Sequence, residues 1–108
     1  MSVLDVPAIF GAEVMSAVRS WLHRGEISEL AAAGAVRALA ALRTEEHPLA
    51  PFASRIWELR TNLTVYDAWY VALAEALGAV LVTADRRLAG ATGPRCEVVD
   101  VRTFAGHR

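Results

Sequence analysis

The sequence has no lysine: all 11 of its basic residues are arginine. Arginine can grip phosphate through a bidentate fork, but an all-arginine count beside so many alanines is better explained by coding bias. The net charge of −1 gives no overall basic field of the kind that draws nucleic acid. Cys96 is the only cysteine, which excludes an internal disulfide and points to a reducing cytoplasm. No apolar run reaches the ~18 residues of a membrane helix. Met1-Ser2-Val3-Leu4-Asp5 has neither the basic start nor the apolar stretch of a secretory signal. Phosphate loops, G-x-G-x-x-G turns, Cys/His zinc spacings and G-x-S-x-G nucleophile elbows are all missing. Internal repeats, low-complexity tracts and linkers are missing too.

What is present is globular. A chain of 108 residues with 55% hydrophobic and 21% charged residues is too apolar for disorder. It is long enough for one domain, spanning residues 1–108, with a modest core.

The most organised stretch is Thr61 to Asp85, TNLTVYDAWYVALAEALGAVLVTAD. Thr64 is placed to cap a helix, with Asp67 three residues on in a capping-box-like pair. Val65, Trp69, Ala72, Leu73, Ala76 and Leu77 recur at three- and four-residue steps and give that helix an apolar face. Gly78 stands where a left-handed C-terminal residue is wanted. Ala79-Val80-Leu81-Val82-Thr83 then reads as a short parallel strand buried on both faces. The helix runs roughly 15 Å from Asp67 to its end, and the strand returns roughly 20 Å to Asp85. The two acids therefore belong at one level, the carboxyl edge of the sheet, where open α/β folds bind ligands. Two carboxylates there point to a cation between them. Helix capping alone would also account for Asp67, and Asp85 could cap a next short helix or pair with Arg86 or Arg87. Tyr66 and Tyr70 read as core or rim aromatics.

The rest of the chain supplies a scaffold. Val3 to Val6 is an expected strand, with Pro7 in the first turn of a helix that runs to about Arg24 and ends at Gly25. Phe10, Val14, Val18, Trp21 and Leu22 mark the core stripe of that helix, and Glu13 lies on an adjacent face. Ser28 caps a second, alanine-rich helix from Glu29 to about Arg43, with Leu30, Val36, Leu39 and Leu42 among its apolar positions. Glu45 to Leu49 is an expected edge strand that tolerates Pro48. His47, beside two acids, is read as structural, and so are His23 and His107. Pro51 opens a third helix, with Phe52, Ile56, Trp57 and Leu59 facing inward. After Asp85, one helical turn over Arg86–Ala89 and a loop lead to a last edge strand, Glu97 to Val101. Asp100 in that strand is read as structural.

Two linked words in this chain, Thr64-Val65-Tyr66-Asp67-Ala68-Trp69-Tyr70-Val71-Ala72-Leu73-Ala74-Glu75 and Leu81-Val82-Thr83-Ala84-Asp85-Arg86-Arg87-Leu88, resemble the C-terminal half of PIN-domain ribonucleases. The likeness is to the VapC toxins of bacterial toxin–antitoxin pairs, and the lead-in Trp57-Glu58-Leu59-Arg60-Thr61-Asn62-Leu63 fits it as well. Ala12-Glu13-Val14-Met15-Ser16-Ala17-Val18-Arg19 resembles the segment that carries the family's second acid. The resemblance implies an α/β/α three-layer fold around a mostly parallel central sheet, in a cytoplasmic, likewise membrane-free endoribonuclease. It implies Glu13, Asp67 and Asp85 as catalytic and metal-ligating acids for Mg²⁺ or Mn²⁺. RNA would be the substrate, and a cognate antitoxin and a second copy of the chain would be the partners.

The chemistry suits those residue types. A cation held by carboxylates activates water and relieves charge on the phosphate, and Mg²⁺ takes oxygen ligands while keeping several waters. Without the metal, clustered carboxylates repel, and at least one is expected to protonate more readily than usual. Thr83 is placed to hold a carboxylate by hydrogen bond, and Arg86 and Arg87 to meet an RNA backbone. The family's first strand ends in its first acid, within a V-D-x-S-like word, and nothing before Glu13 matches it. The expectation is therefore a chain incomplete at its N-terminus, with a native start upstream of Met1 and the central strand absent. Such a chain would be marginal in stability, would associate through the gap and would cut RNA poorly. The other reading is a catalytically inactive remnant that serves as an antitoxin-binding or self-association module.

Overall fold

The computed structural model describes residues 3–102, so that His107 lies outside the described residues. The chain divides into two compact units, Met1–His47 and Pro48–Arg108. Helices alternate with parallel strands, as expected of an α/β chain, and the strands pair as two two-stranded parallel sheets. Among the described residues no helix is long and apolar enough to cross a membrane.

The first unit is a strand, two helices and a strand: β1 (Leu4–Pro7), α1 (Phe10–His23), α2 (Glu29–Ala41) and β2 (Thr44–His47). Pro7 closes β1, in register with His47, instead of opening the helix. The backbone amides of Leu4 and Ala8 donate to the carbonyls of Arg43 and His47. Alternation then turns position 7 away from β2, so the N–H that proline lacks is not missed. Gly25, at φ 74°, ends the turn after α1, and the Ser28 hydroxyl accepts from the Ala31 amide at 3.0 Å to start α2. Of the expected α1 stripe only Val18 is fully buried, while Trp21 stands exposed. Asp5 and His47 meet across the strands at 3.0 Å, which gives His47 a structural partner.

The second unit holds a 3₁₀ turn (Ala50–Phe52), α3 (Ala53–Glu58), α4 (Val65–Leu77), β3 (Leu81–Thr83), α5 (Arg86–Ala89) and β4 (Val98–Asp100). Its core joins Ile56 and Leu59 to Ala68, Trp69, Val71, Ala72, Leu73 and Ala74 of α4 and to Leu88. That buried face is broader and more central than the expected stripe, because Val65, Ala76 and Leu77 towards the helix ends remain exposed. Trp57, expected inward, is 62% exposed. With Ile56 and Leu59 on the inner side of this short helix, the intervening residue is turned outward. Both ends of α4 follow the sequence signals. The Thr64 hydroxyl accepts from the Asp67 amide at 3.1 Å, and Gly78 adopts the left-handed conformation at φ 62°. Thr64→Ala should therefore cost about 1 kcal/mol. Equal urea midpoints for variant and parent would show that this cap contributes nothing.

β3 is shorter than the run Ala79–Thr83 and is not buried on both faces: Val82 is 43% exposed. It pairs with β4 from Leu81↔Val98 to Thr83↔Asp100, and among the described residues β4 is its sole strand partner. Asp100, read as structural, is engaged at the end of β4. Its carboxylate accepts from the backbone N–H and the guanidinium of Arg102, and that guanidinium also donates to the Ala84 carbonyl at 3.1 Å. The end of β4 is thereby tied to the residue that precedes Asp85.

Candidate functional site

Asp67 lies in the first turn of α4, and Asp85 lies two residues beyond the end of β3. The two acids line one cavity of about 160 Å³, together with Asn62, Leu63, Thr64, Arg87 and Leu88. The helix-down, strand-back geometry thus brings these two carboxylates to one place. Glu13 is half-buried on α1, in the first unit.

The two acids differ in how far they are committed. The amide of Asp67 serves the Thr64 cap, while its carboxylate has no hydrogen-bond or ion-pair partner among the described residues. Asp85 caps α5: its Oδ1 accepts from the Arg87 amide at 2.9 Å, and the Arg87 guanidinium lies 3.5 Å away. The Arg87 backbone N–H, foremost, holds the Asp85 carboxyl below the usual carboxylate range. The readier protonation expected of clustered acids is thus reversed at Asp85, where the bond from the Arg87 N–H outweighs the cost of burial. Thr83 also acts differently from expectation. Its hydroxyl accepts from the Asp85 backbone amide at 3.0 Å, so it fixes the turn that aims Asp85 and leaves the carboxylate alone.

This donor set fits a hydrated hard cation. Asp67 and Asp85 line the cavity together with Asn62 and Thr64, all residue types with side-chain oxygen, and Mg²⁺ is ordinarily bound through one or two carboxylates with its remaining positions kept by water. Among the described residues no three His, Cys, Asp or Glu side chains gather to make an all-protein cage.

The PIN domain family matches residues 2–93. The chain belongs to the PIN-domain family. Ribonuclease VapC1 of Mycobacterium tuberculosis is 44% identical over 102 residues, covering 94% of this chain and 77% of its own length. Ribonuclease VapC12 of the same species is 41% identical over 95 residues, covering 88% and 74%. The crystal structure of PAE2754 from Pyrobaculum aerophilum superposes with a TM-score of 0.63 over 96% of this chain and 95% of that one. Its sequence identity is 24%, so that likeness speaks for the fold.

In this PIN domain Asn62 is the cavity residue that sequence reasoning passed over. Its amide nitrogen donates to the Thr92 carbonyl at 3.1 Å, and among the described residues the amide oxygen has no partner. Gly93, at φ 113°, packs so closely that an added Cβ would sit 3.2 Å from the Asn62 nitrogen. The available signal was position, two residues before the Thr64 cap. Arg87 also lines the cavity, but its side chain is 93% exposed.

Proposed function

We propose that this PIN domain is a metal-dependent endoribonuclease, the toxin of a toxin–antitoxin pair. The observation that carries the reading is the meeting of Asp67 and Asp85 on one small cavity. The ribonuclease names of its VapC relatives support the same activity here. Asp67, with its uncommitted carboxylate, is the foremost metal ligand, and Asp85 the second. Glu13 is proposed as a further acid on the strength of the family word around it. Mg²⁺, with Mn²⁺ as a substitute, would supply charge relief on the phosphate and an activated water when bound.

The chain's own residues do the remaining work. Thr64 sets the start of α4 and with it the position of Asp67. Thr83 and the Arg87 amide set the direction of Asp85. Arg87, long and solvent-exposed, is available to a phosphate of the RNA backbone. A cognate antitoxin and a second copy of the chain are the proposed protein partners, and the cytoplasm the proposed compartment.

The test is incubation of the purified chain with a mixed single-stranded RNA in Mg²⁺, in Mn²⁺ and in EDTA. Cleavage in both metals that stops in EDTA is the expected result. Cleavage that persists in EDTA would overturn the metal assignment. One observation favours a second reading, that of a non-catalytic association module: among the described residues β3 is paired on one side only, and Val82 is exposed. A folded, self-associating chain that leaves RNA intact in either metal would establish that reading instead.

A further inference from the structure

Outside the acid cavity, Trp57 near the end of α3 and Arg60 in the turn after it bring an aromatic ring and a cation into contact. The guanidinium carbon of Arg60 lies 4.5 Å from the centroid of the Trp57 ring. The same guanidinium donates to the Trp57 carbonyl at 2.7 Å, which fixes it over the ring. Trp57 is 62% exposed, far more than core packing of its neighbours Ile56 and Leu59 requires. Among the described residues no carboxylate pairs with Arg60, so its charge is still available to an anion. Its chain neighbours lead directly to the acid cavity: Asn62 lines it, and two residues span at most about 7 Å.

We propose that Trp57 and Arg60 form a stacking platform for single-stranded RNA, a subsite that holds the strand beside the acid cavity. A π face joined to a cation is the pairing that single-stranded nucleic acid uses: the base stacks, and the guanidinium meets the backbone or extends the stack. A protein partner would also cover an exposed tryptophan. The unpaired cation and the short path to a carboxylate cavity favour a polyanion whose scissile phosphate must reach those acids. The platform rests on the ribonuclease reading for its purpose, but its binding can be measured without catalysis.

The probe is a short, fluorescein-labelled single-stranded RNA, followed by anisotropy in EDTA so that no metal-dependent cleavage intervenes. Trp57→Ala and Arg60→Ala should each weaken binding about tenfold, the size of losing one base stack. Trp57→Phe should retain most of the affinity. Because Trp57 is exposed, all three variants should melt with the parent. Unchanged affinity in both alanine variants would overturn the platform even if the parent cleaves RNA in Mg²⁺, so the two readings fail separately. Unchanged RNA affinity with loss of self-association or of antitoxin binding would assign the patch to protein instead.

Discussion

Asp67→Asn should abolish metal-dependent RNA cleavage, by about 1,000-fold or more, and leave the protein folded. A cation at a reacting phosphate supplies several kcal/mol of charge stabilisation, and about 4 kcal/mol corresponds to three powers of ten in rate. Asn keeps the size of the side chain but gives up the charge that holds the cation. The Thr64 cap survives, because the bond that makes it comes from the backbone amide of residue 67 and not from its carboxylate. Two small terms oppose each other in stability. An acid in a helix's first turn is worth about 0.3–1 kcal/mol against the helix dipole, while removing it relieves repulsion from Asp85 across the cavity. The metal-free variant should therefore stay within about 1 kcal/mol of the parent. Single-turnover cleavage and urea unfolding, measured on the same preparations, check both halves. A variant that unfolds would reduce Asp67 to a structural cap, and one that still cleaves would remove it from the metal site.

The stretch that positions this pair was legible because its signals are local. The Thr64 cap, the central apolar positions of α4 and the left-handed Gly78 each depend on a few neighbouring residues, and each is found as read. The cavity followed from lengths alone: a helix going down and a strand coming back must return Asp85 to the level of Asp67. Burial was less legible, since periodicity ranks the faces of a helix without saying how far each is covered. Trp57 is apolar enough to be expected inward beside Ile56 and Leu59, but those two already fill the inner side of α3. Val80 and Val82 were assigned to a strand covered on both faces, and both are exposed.

The polar fastenings were least legible, because they join residues remote in sequence through backbone atoms that carry no sequence signature. Asn62 reaches the Thr92 carbonyl, and Arg55 reaches both Glu75 and the Gly93 carbonyl. Together these contacts hold the loop between α5 and β4 against α3 and α4. Nothing in the spacing of Arg55 and Glu75 announces a partnership, because the pairing exists only once α3 has packed on α4.

The largest effect on stability should come from Glu75→Gln. The Glu75 carboxylate accepts from Arg55 Nε at 2.7 Å and Nη2 at 2.9 Å, and from the Arg95 backbone amide at 2.7 Å. Both side chains are largely shielded, at 20% and 14% exposure. Gln is the same size but neutral, and its NH₂ must face one of those donors. The variant therefore loses charge-assisted bonds worth about 1.5–3 kcal/mol and leaves Arg55 with the Gly93 carbonyl and, as its remaining carboxylate, the largely exposed Glu58. A loss of about 2 kcal/mol is expected, or a fall of roughly 10 °C in melting temperature, against a total of about 5–15 kcal/mol. The pH dependence has a definite sign. The Arg55 hydrogen bonds, foremost, hold the Glu75 carboxyl below its usual range, so its contribution is fully present above the unfolded value of about 4.3. It is lost as pH falls from about 5 down through the lower folded-state value. Arg55 stays protonated throughout and adds no window of its own. The parent should lose its margin over the variant progressively as pH falls below the unfolded value of about 4.3, as read from urea midpoints at descending pH. A margin that stays constant down to pH 3 would show that the carboxylate's charge has no part in holding the loop.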